Sequence, residues 1–253
     1  LSETISAVLI TLNEEKNLPR ALAGLHWVDE IIIADTGSID NTLEVARGYT
    51  KNVFSIPWQG FGDAYNRALD FATRDWIYFI HADEEMTPEL ESEIRAVLAD
   101  GGRGVTGYYV ARLPNFLGYW LRHGGWYPSY EMRLFRRGKG RCNARVVHQD
   151  VIIEGKTSYL KSYLLHYTDP SMETYLEKMN RVTTMAALEL FDKRRKSSLG
   201  DIAFRPLAVF FKMFMAKCGF LDGFPGLLAA SLSLMHVFIK YVKLRMLWRN
   251  KTA

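Results

Sequence analysis

Through the first hundred residues, apolar side chains gather in short unbroken runs that stop at polar clusters. Ile5 to Leu12 is apolar and β-branched and ends at Asn13-Glu14-Glu15-Lys16. Glu30 to Ala34 carries Ile31-Ile32-Ile33, the continuous run expected of a strand buried on both faces. Asn52 to Ile56 and Trp76 to Ile80 add two more strand segments. Helical spacing fills the gaps. Leu18, Leu22 and Leu25 share a face, Thr42 to Tyr49 and Ala64 to Ala72 follow, and Thr87-Pro88-Glu89-Leu90 opens another helix with Thr87 as N-cap. This alternation predicts a parallel sheet with right-handed crossovers, whose ligands bind at the carboxyl ends of the strands. The polar clusters fall at those ends.

After Gly107 the texture changes. Tyr108 to Arg112, Met132 to Arg136, Val146 to Ile153 and Tyr163 to Tyr167 read as short strands. Ser171 to Lys196 reads as one amphipathic helix, with Tyr175, Met179, Val182, Met185 and Leu188 at helical intervals. The expected organisation is a catalytic domain over 1–170, with a nucleotide-binding half at 1–100 and an acceptor-side half at 101–170. A helical extension occupies 171–253.

Charge sharpens that division. Residues 193–253 hold 12 Lys and Arg against 2 Asp and Glu, a net of +10, whereas residues 1–192 come to −6. A basic tail on an acidic body points to an anionic surface as partner. Gly223 to Ile239 contains no Asp, Glu, Lys or Arg, but its 17 residues fall short of the ~20 that cross a bilayer. Basic residues and aromatics interleaved around this stripe suit a helix lying in the headgroup region. The plain alternative is a helical subdomain with a basic outer face. The tail is too apolar for a nucleic-acid surface, and no nucleic-acid motif occurs. Cys142 and Cys218 match no metal or redox spacing. Leu1 to Ile10 reads as a strand rather than a secretory leader.

Three polar clusters carry the candidate chemistry. His81-Ala82-Asp83-Glu84-Glu85 delivers carboxylates to a sheet edge, a hard-oxygen site suited to Mg²⁺ or Mn²⁺ with phosphate oxygens. A solvated acidic turn capping the next helix is its ordinary alternative. Asp35-Thr36-Gly37-Ser38-Ile39-Asp40 and Thr11-Leu12-Asn13-Glu14 stand at the ends of the second and first strands, where an acid reads an N–H or hydroxyl. Either is also compatible with a plain strand–turn–helix connection. Their coincidence on one edge is what makes a ligand site the better reading.

In order and spacing, Ile10 to Glu15, Asp35 to Asp40, Asn66-Arg67-Ala68-Leu69 and Ala82-Asp83-Glu84 resemble the nucleotide-binding half of a family 2 inverting glycosyltransferase of GT-A fold. Gly125-Trp126-Tyr127-Pro128, Arg133 to Gly140, Val147-His148 and Gly219 to Gly223 resemble its lipopolysaccharide core β-glucosyltransferase branch. The resemblance implies that Thr11, Asn13 and Glu14 line uridine and ribose, and that Asp35 reads uracil. It implies that Asn66 and Arg67 face the nucleotide, that Ala82 and Asp83 meet the diphosphate, and that Asp83 binds the divalent metal. The segment with Arg136 would hold phosphate.

Three positions depart from that pattern. His81 replaces the first acid of the DxD motif, Ser129 an Asp, and Gln149 a Glu. A general base is still required; Glu131 is the first substitute, followed by Asp150 and His148. The implied activity is transfer of a hexose, glucose first, from a UDP-sugar to a lipid-linked saccharide such as the lipopolysaccharide inner core. The implied location is the cytoplasmic face of the bacterial inner membrane, with the protein peripheral on an anionic surface. The alternative is a family member that binds nucleotide-sugar or a partner without turnover. A nucleotidyltransferase would need a glycine-rich basic loop where Leu12-Asn13-Glu14-Glu15 stands.

Overall fold

The computed structural model describes residues 3–143 and 151–252. The chain divides into two compact units: Leu1–Arg112 with Ser129–His166, and Leu113–Pro128 with Tyr167–Ala253. The expected strand at 146–153 is seen only as its last three residues, and the rest lies outside the described residues.

The first unit begins as four parallel strands with helical crossovers: β1 (Ile5–Thr11), α1 (Leu18–Ala23), β2 (Glu30–Asp35), α2 (Thr42–Tyr49), β3 (Val53–Ser55), α3 (Phe61–Asp70) and β4 (Trp76–Phe79). There follow β5 (Glu84–Met86), α4 (Pro88–Ala99), β6 (Gly107–Phe116), β7 (Tyr119–Trp120), β8 (Ser129–Arg136), a hairpin of β9 (Gly140–Cys142) with β10 (Val151–Ile153), and β11 (Thr157–Asp169). The sheet order is β3-β2-β1-β4-β8-β6-β11-β5, with β7 on β6. β8 runs antiparallel to β4 and to β6, so the sheet is mixed.

Alternation along the strands fills two cores. Ile5, Ala7 and Leu9 pack on one face with Leu18 and Leu22 of α1 and Leu90 and Ile94 of α4. Val8 packs on the other with Ala64, Ala68 and Leu69 of α3, and with Phe79 and Phe135. Burial of both faces is why these strands read as unbroken apolar runs. Thr87 caps α4 as expected, accepting from the Leu90 N–H, and its hydroxyl donates to the Tyr163 carbonyl at 2.7 Å.

The chain steps outward from β1 to β2 to β3, then crosses back to lay β4 on the other side of β1. The point between β1 and β4 is therefore the topological switch, where an open sheet leaves a crevice outside its carboxyl ends.

In the second unit, α5 (Met172–Asp192) starts at the Ser171 cap, and α6 (Leu199–Phe211) opens on a capping box of Ser198 and Asp201. A π turn (Lys212–Ala216), left-handed Cys218 and a 3₁₀ turn (Gly219–Asp222) lead into α7 (Phe224–Thr252).

Candidate active site

The loops leaving β1 and β2 are stitched together at the switch point. Left-handed Asn13 accepts from the Ile39 N–H at 2.9 Å, while its own N–H donates to the Ser38 hydroxyl. The Glu14 N–H donates to Thr42 Oγ1 at 2.7 Å. Asp35, 1% exposed, accepts at Oδ2 from the Gly37 and Ser38 N–H groups and at Oδ1 from the Thr11 and Ser38 hydroxyls. All four of its lone-pair directions are filled, so a ligand N–H could reach this carboxylate only by taking the place of one of these donors.

Across the crevice, the turn after β4 separates two acids that look equivalent in sequence. Glu84 is fully buried. Its Oε1 accepts from Arg133 Nη2 at 2.6 Å and lies 3.6 Å from Arg112 Nη1, and its Oε2 accepts from the His81 N–H. Burial opposes ionisation of Glu84, but the Arg133 guanidinium wins and holds it below the ordinary carboxyl range. Asp83 instead remains one-third exposed, and its Oδ2 accepts from His166 Nε2 at 3.2 Å. Burial would raise Asp83 too, but the His166 bond, with His81 and Arg133 nearby, brings it to about 2. Glu14 is raised, by burial first, against the Asn17 hydrogen bond that lowers it, with the Asp83 charge adding to the rise.

His81 is excluded from ligating a metal by its own bonds. Arginine can only donate, so Arg133 Nη2 at 3.2 Å makes His81 Nδ1 an acceptor, and Nε2–H then donates to the Tyr65 hydroxyl at 2.6 Å. Burial, then the Arg133 charge, push this imidazole down to about 4 and keep it neutral. Among the described residues no three His, Cys, Asp or Glu side chains converge as a metal cluster. Asp83 with one open oxygen fits a hard cation that keeps most of its shell for phosphate and water.

Next to His81 lies a cavity of about 700 Å³, lined among others by Tyr65, Arg112, Tyr130, Glu131 and Arg133. Residues two apart on a strand face the same way, and Arg112 Nη2 reaches both Ser129 Oγ at 3.3 Å and Glu131 Oε1 at 2.9 Å. The Nε atoms of Arg112 and Arg133 are buried with no hydrogen-bond partner among the described residues.

The expected residues do not all meet here. Thr11, Asn13, Glu14, Asp35, Ala82 and Asp83 lie at or just after the carboxyl ends of β1, β2 and β4, and Glu131 lines the cavity. Asn66 instead pins β9, donating to the Cys142 carbonyl and accepting from its N–H. Arg67 donates to Asp63 of its own helix and to Gln59 just before it. Arg136 pairs with Trp76, the first residue of β4, at the opposite end of the sheet. There it bonds Glu3 and the Gly101 carbonyl. His148 and Asp150 lie outside the described residues. Reasoning from sequence missed Arg112, Tyr65 and His166. Their partners are 19, 16 and 83 residues away, and no local signal marks them.

A model of glycosyl transferase family 2 matches residues 6–152. The lipopolysaccharide core biosynthesis glycosyltransferase LpsC of Rhizobium meliloti is 27% identical over 95% of this chain and 91% of its own. An uncharacterized glycosyltransferase of Rickettsia felis is 28% identical over 96% and 90%. The Mycobacterium tuberculosis glucosyl-3-phosphoglycerate synthase, solved with Mn²⁺, UDP-glucose and phosphoglyceric acid, is 28% identical with a TM-score of 0.38. That match spans less than half of either protein, 44% of each chain. The switch-point crevice, the mixed sheet built on β3-β2-β1-β4 and the match over more than half of the chain agree: this is a GT-A-fold enzyme, and it belongs to glycosyl transferase family 2.

Proposed function

We propose that the chain transfers a hexose, glucose first, from a UDP-sugar to a lipid-linked saccharide of the lipopolysaccharide inner-core type, with inversion at the anomeric carbon. The observation that carries this reading is that Asp35 and Asp83 stand at or just after the carboxyl ends of β2 and β4, while the cavity beside His81 contains a carboxylate, Glu131. The similarity to LpsC over nearly the full length of both chains supports the acceptor class.

In this reading Thr11, Asn13, Glu14 and Asp35 hold uridine, the base taking the place of one of the donors on Asp35. Asp83 presents its open oxygen to the diphosphate edge. A Mg²⁺ or Mn²⁺ ion bound there would neutralise charge on the departing diphosphate. Neutral His81, fixed by Tyr65 and Arg133, lines the cavity beside the turn without adding charge. Glu131 takes the proton of the acceptor hydroxyl. An acid expected at 129 is thus supplied two residues on from the same strand face, and Arg112 orients it. A carboxylate oriented by Arg112 in the cavity favours turnover over the binding-only alternative.

Calorimetric titration of UDP with Mn²⁺ and with EDTA, on wild type and Asp83→Ala, tests the donor site. Metal-dependent binding lost in the variant is expected. No UDP binding under either condition would sink the glycosyltransferase reading of this crevice. NMR of the product from UDP-glucose and a lipid-linked core acceptor then reads the sugar and its anomeric configuration.

A further inference from the structure

In the second unit, α6 and the turns after it carry large apolar side chains outward. Phe204, Leu207 and Phe211 are 73%, 48% and 57% exposed, and their spacing of three and four places them on one helix face. Met215, Leu221 and Phe224 continue the run at 56%, 59% and 65%. A soluble monomer rarely leaves so much contiguous apolar surface without a partner.

The charges beside it have one sign. Asp201 is engaged by its Ser198 capping box and by Arg205 at 2.5 Å. Asp222 is nearly buried and holds His123, accepting from its N–H at 2.8 Å and lying 2.6 Å from its ring. Lys212 and Lys217 are left exposed among the apolar positions. Apolar side chains with interleaved cations are the chemistry of a helix lying at the boundary between anionic headgroups and acyl chains.

α7 is long and apolar enough to cross a bilayer by length and composition. Its packing opposes that role. Lys243 Nζ meets the Asn180 carbonyl, Asn180 Oδ1, Thr183 Oγ1 and Thr184 Oγ1 of α5 at 2.7–2.9 Å. Tyr241 and Leu244 are buried against the same unit, and α5 exposes Glu173, Glu177 and Arg181. A lipid-wrapped α7 would have to leave these partners or drag a charged helix into hydrocarbon.

We propose that α6 and the π and 3₁₀ turns after it form an in-plane docking surface for an anionic lipid bilayer, which α7 does not cross. Membrane docking extends the lipid-linked reading of the acceptor given above. Vesicle binding needs neither donor nor acceptor, so a failure of either reading is distinguishable from failure of the other.

The test is co-sedimentation of the full chain with vesicles of phosphatidylcholine alone or mixed with phosphatidylglycerol. Expected is binding to the anionic vesicles that weakens with salt. Phe204→Ser/Phe211→Ser/Leu221→Ser should lower it by about tenfold or more, and Lys212→Glu/Lys217→Glu should abolish the anionic preference. All five positions are exposed, so thermal melts should stay near wild type. A fluorophore at Phe211→Cys, in a Cys218→Ser background, should be quenched by shallow lipid quenchers, and one at Met235→Cys should escape deep ones. Absence of vesicle binding, or binding that the triple variant leaves unchanged, would overturn the proposal. So would deep quenching at 235, which would make α7 a span. A wild-type dimer that the triple variant dissociates would assign the surface to a second copy instead.

Discussion

The two units treat apolar surface in opposite ways. In the first, strands bury both faces, and Leu9, Phe79 and Phe135 are shielded completely, while the exposed apolar side chains at the edge where chemistry is proposed, Leu12 and Ile39, stand singly in loops. In the second, α6 buries Pro206 and shows Phe204 and Phe211 to the outside. The same residue type therefore contributes to folding in one place and to recognition in the other, and burial, not hydrophobicity, tells them apart.

Four substitutions would break or sharpen this contrast. Glu131→Gln should lower kcat by about 10²- to 10⁴-fold with UDP affinity retained, as read by UDP release and calorimetry. If kcat holds, the base lies elsewhere and the cavity is only a binding site. Asp83→Ala should lower kcat/KM by about 10²- to 10³-fold while the melting curve stays near wild type. Phe135→Ala, in the core, should cost about 3–5 kcal/mol in urea unfolding. Phe204→Ala, with the same side chain removed, should cost under about 0.5 kcal/mol and register instead in vesicle binding. Equal losses at 135 and 204 would erase the distinction between the units.

Much of the first unit was legible because its strands are short, doubly buried and bounded by turn residues. β1, β2 and β4 and the Thr87 cap lie where apolar runs and capping chemistry put them. β5 was not legible. Glu84 to Met86 contains two acids, and it is a strand because it pairs antiparallel with β11, nearly eighty residues on. The same blindness affected the site. Three acids after β4 read alike in sequence, yet Arg133 and Arg112, brought from distant strands, draw Glu84 into the interior and leave Asp83 facing outward. His81 stood out in sequence only as a replacement for the first DxD acid, and its partners, Tyr65 and Arg133, come from α3 and β8. Periodicity reports which face a residue takes, not what the fold sets opposite it.

The bonds from Glu84 to Arg133 and to the His81 N–H also bear on the entropy of binding. They fix both ends of the turn that carries Asp83, so that carboxylate is at its station before any nucleotide arrives. A ligand then orders little backbone on this side of the crevice, and binding energy goes into contacts rather than into shaping a loop. On the β2 side Asp35 is held as firmly, by the Gly37 and Ser38 N–H groups and by the Thr11 and Ser38 hydroxyls, so both acids are in place before binding.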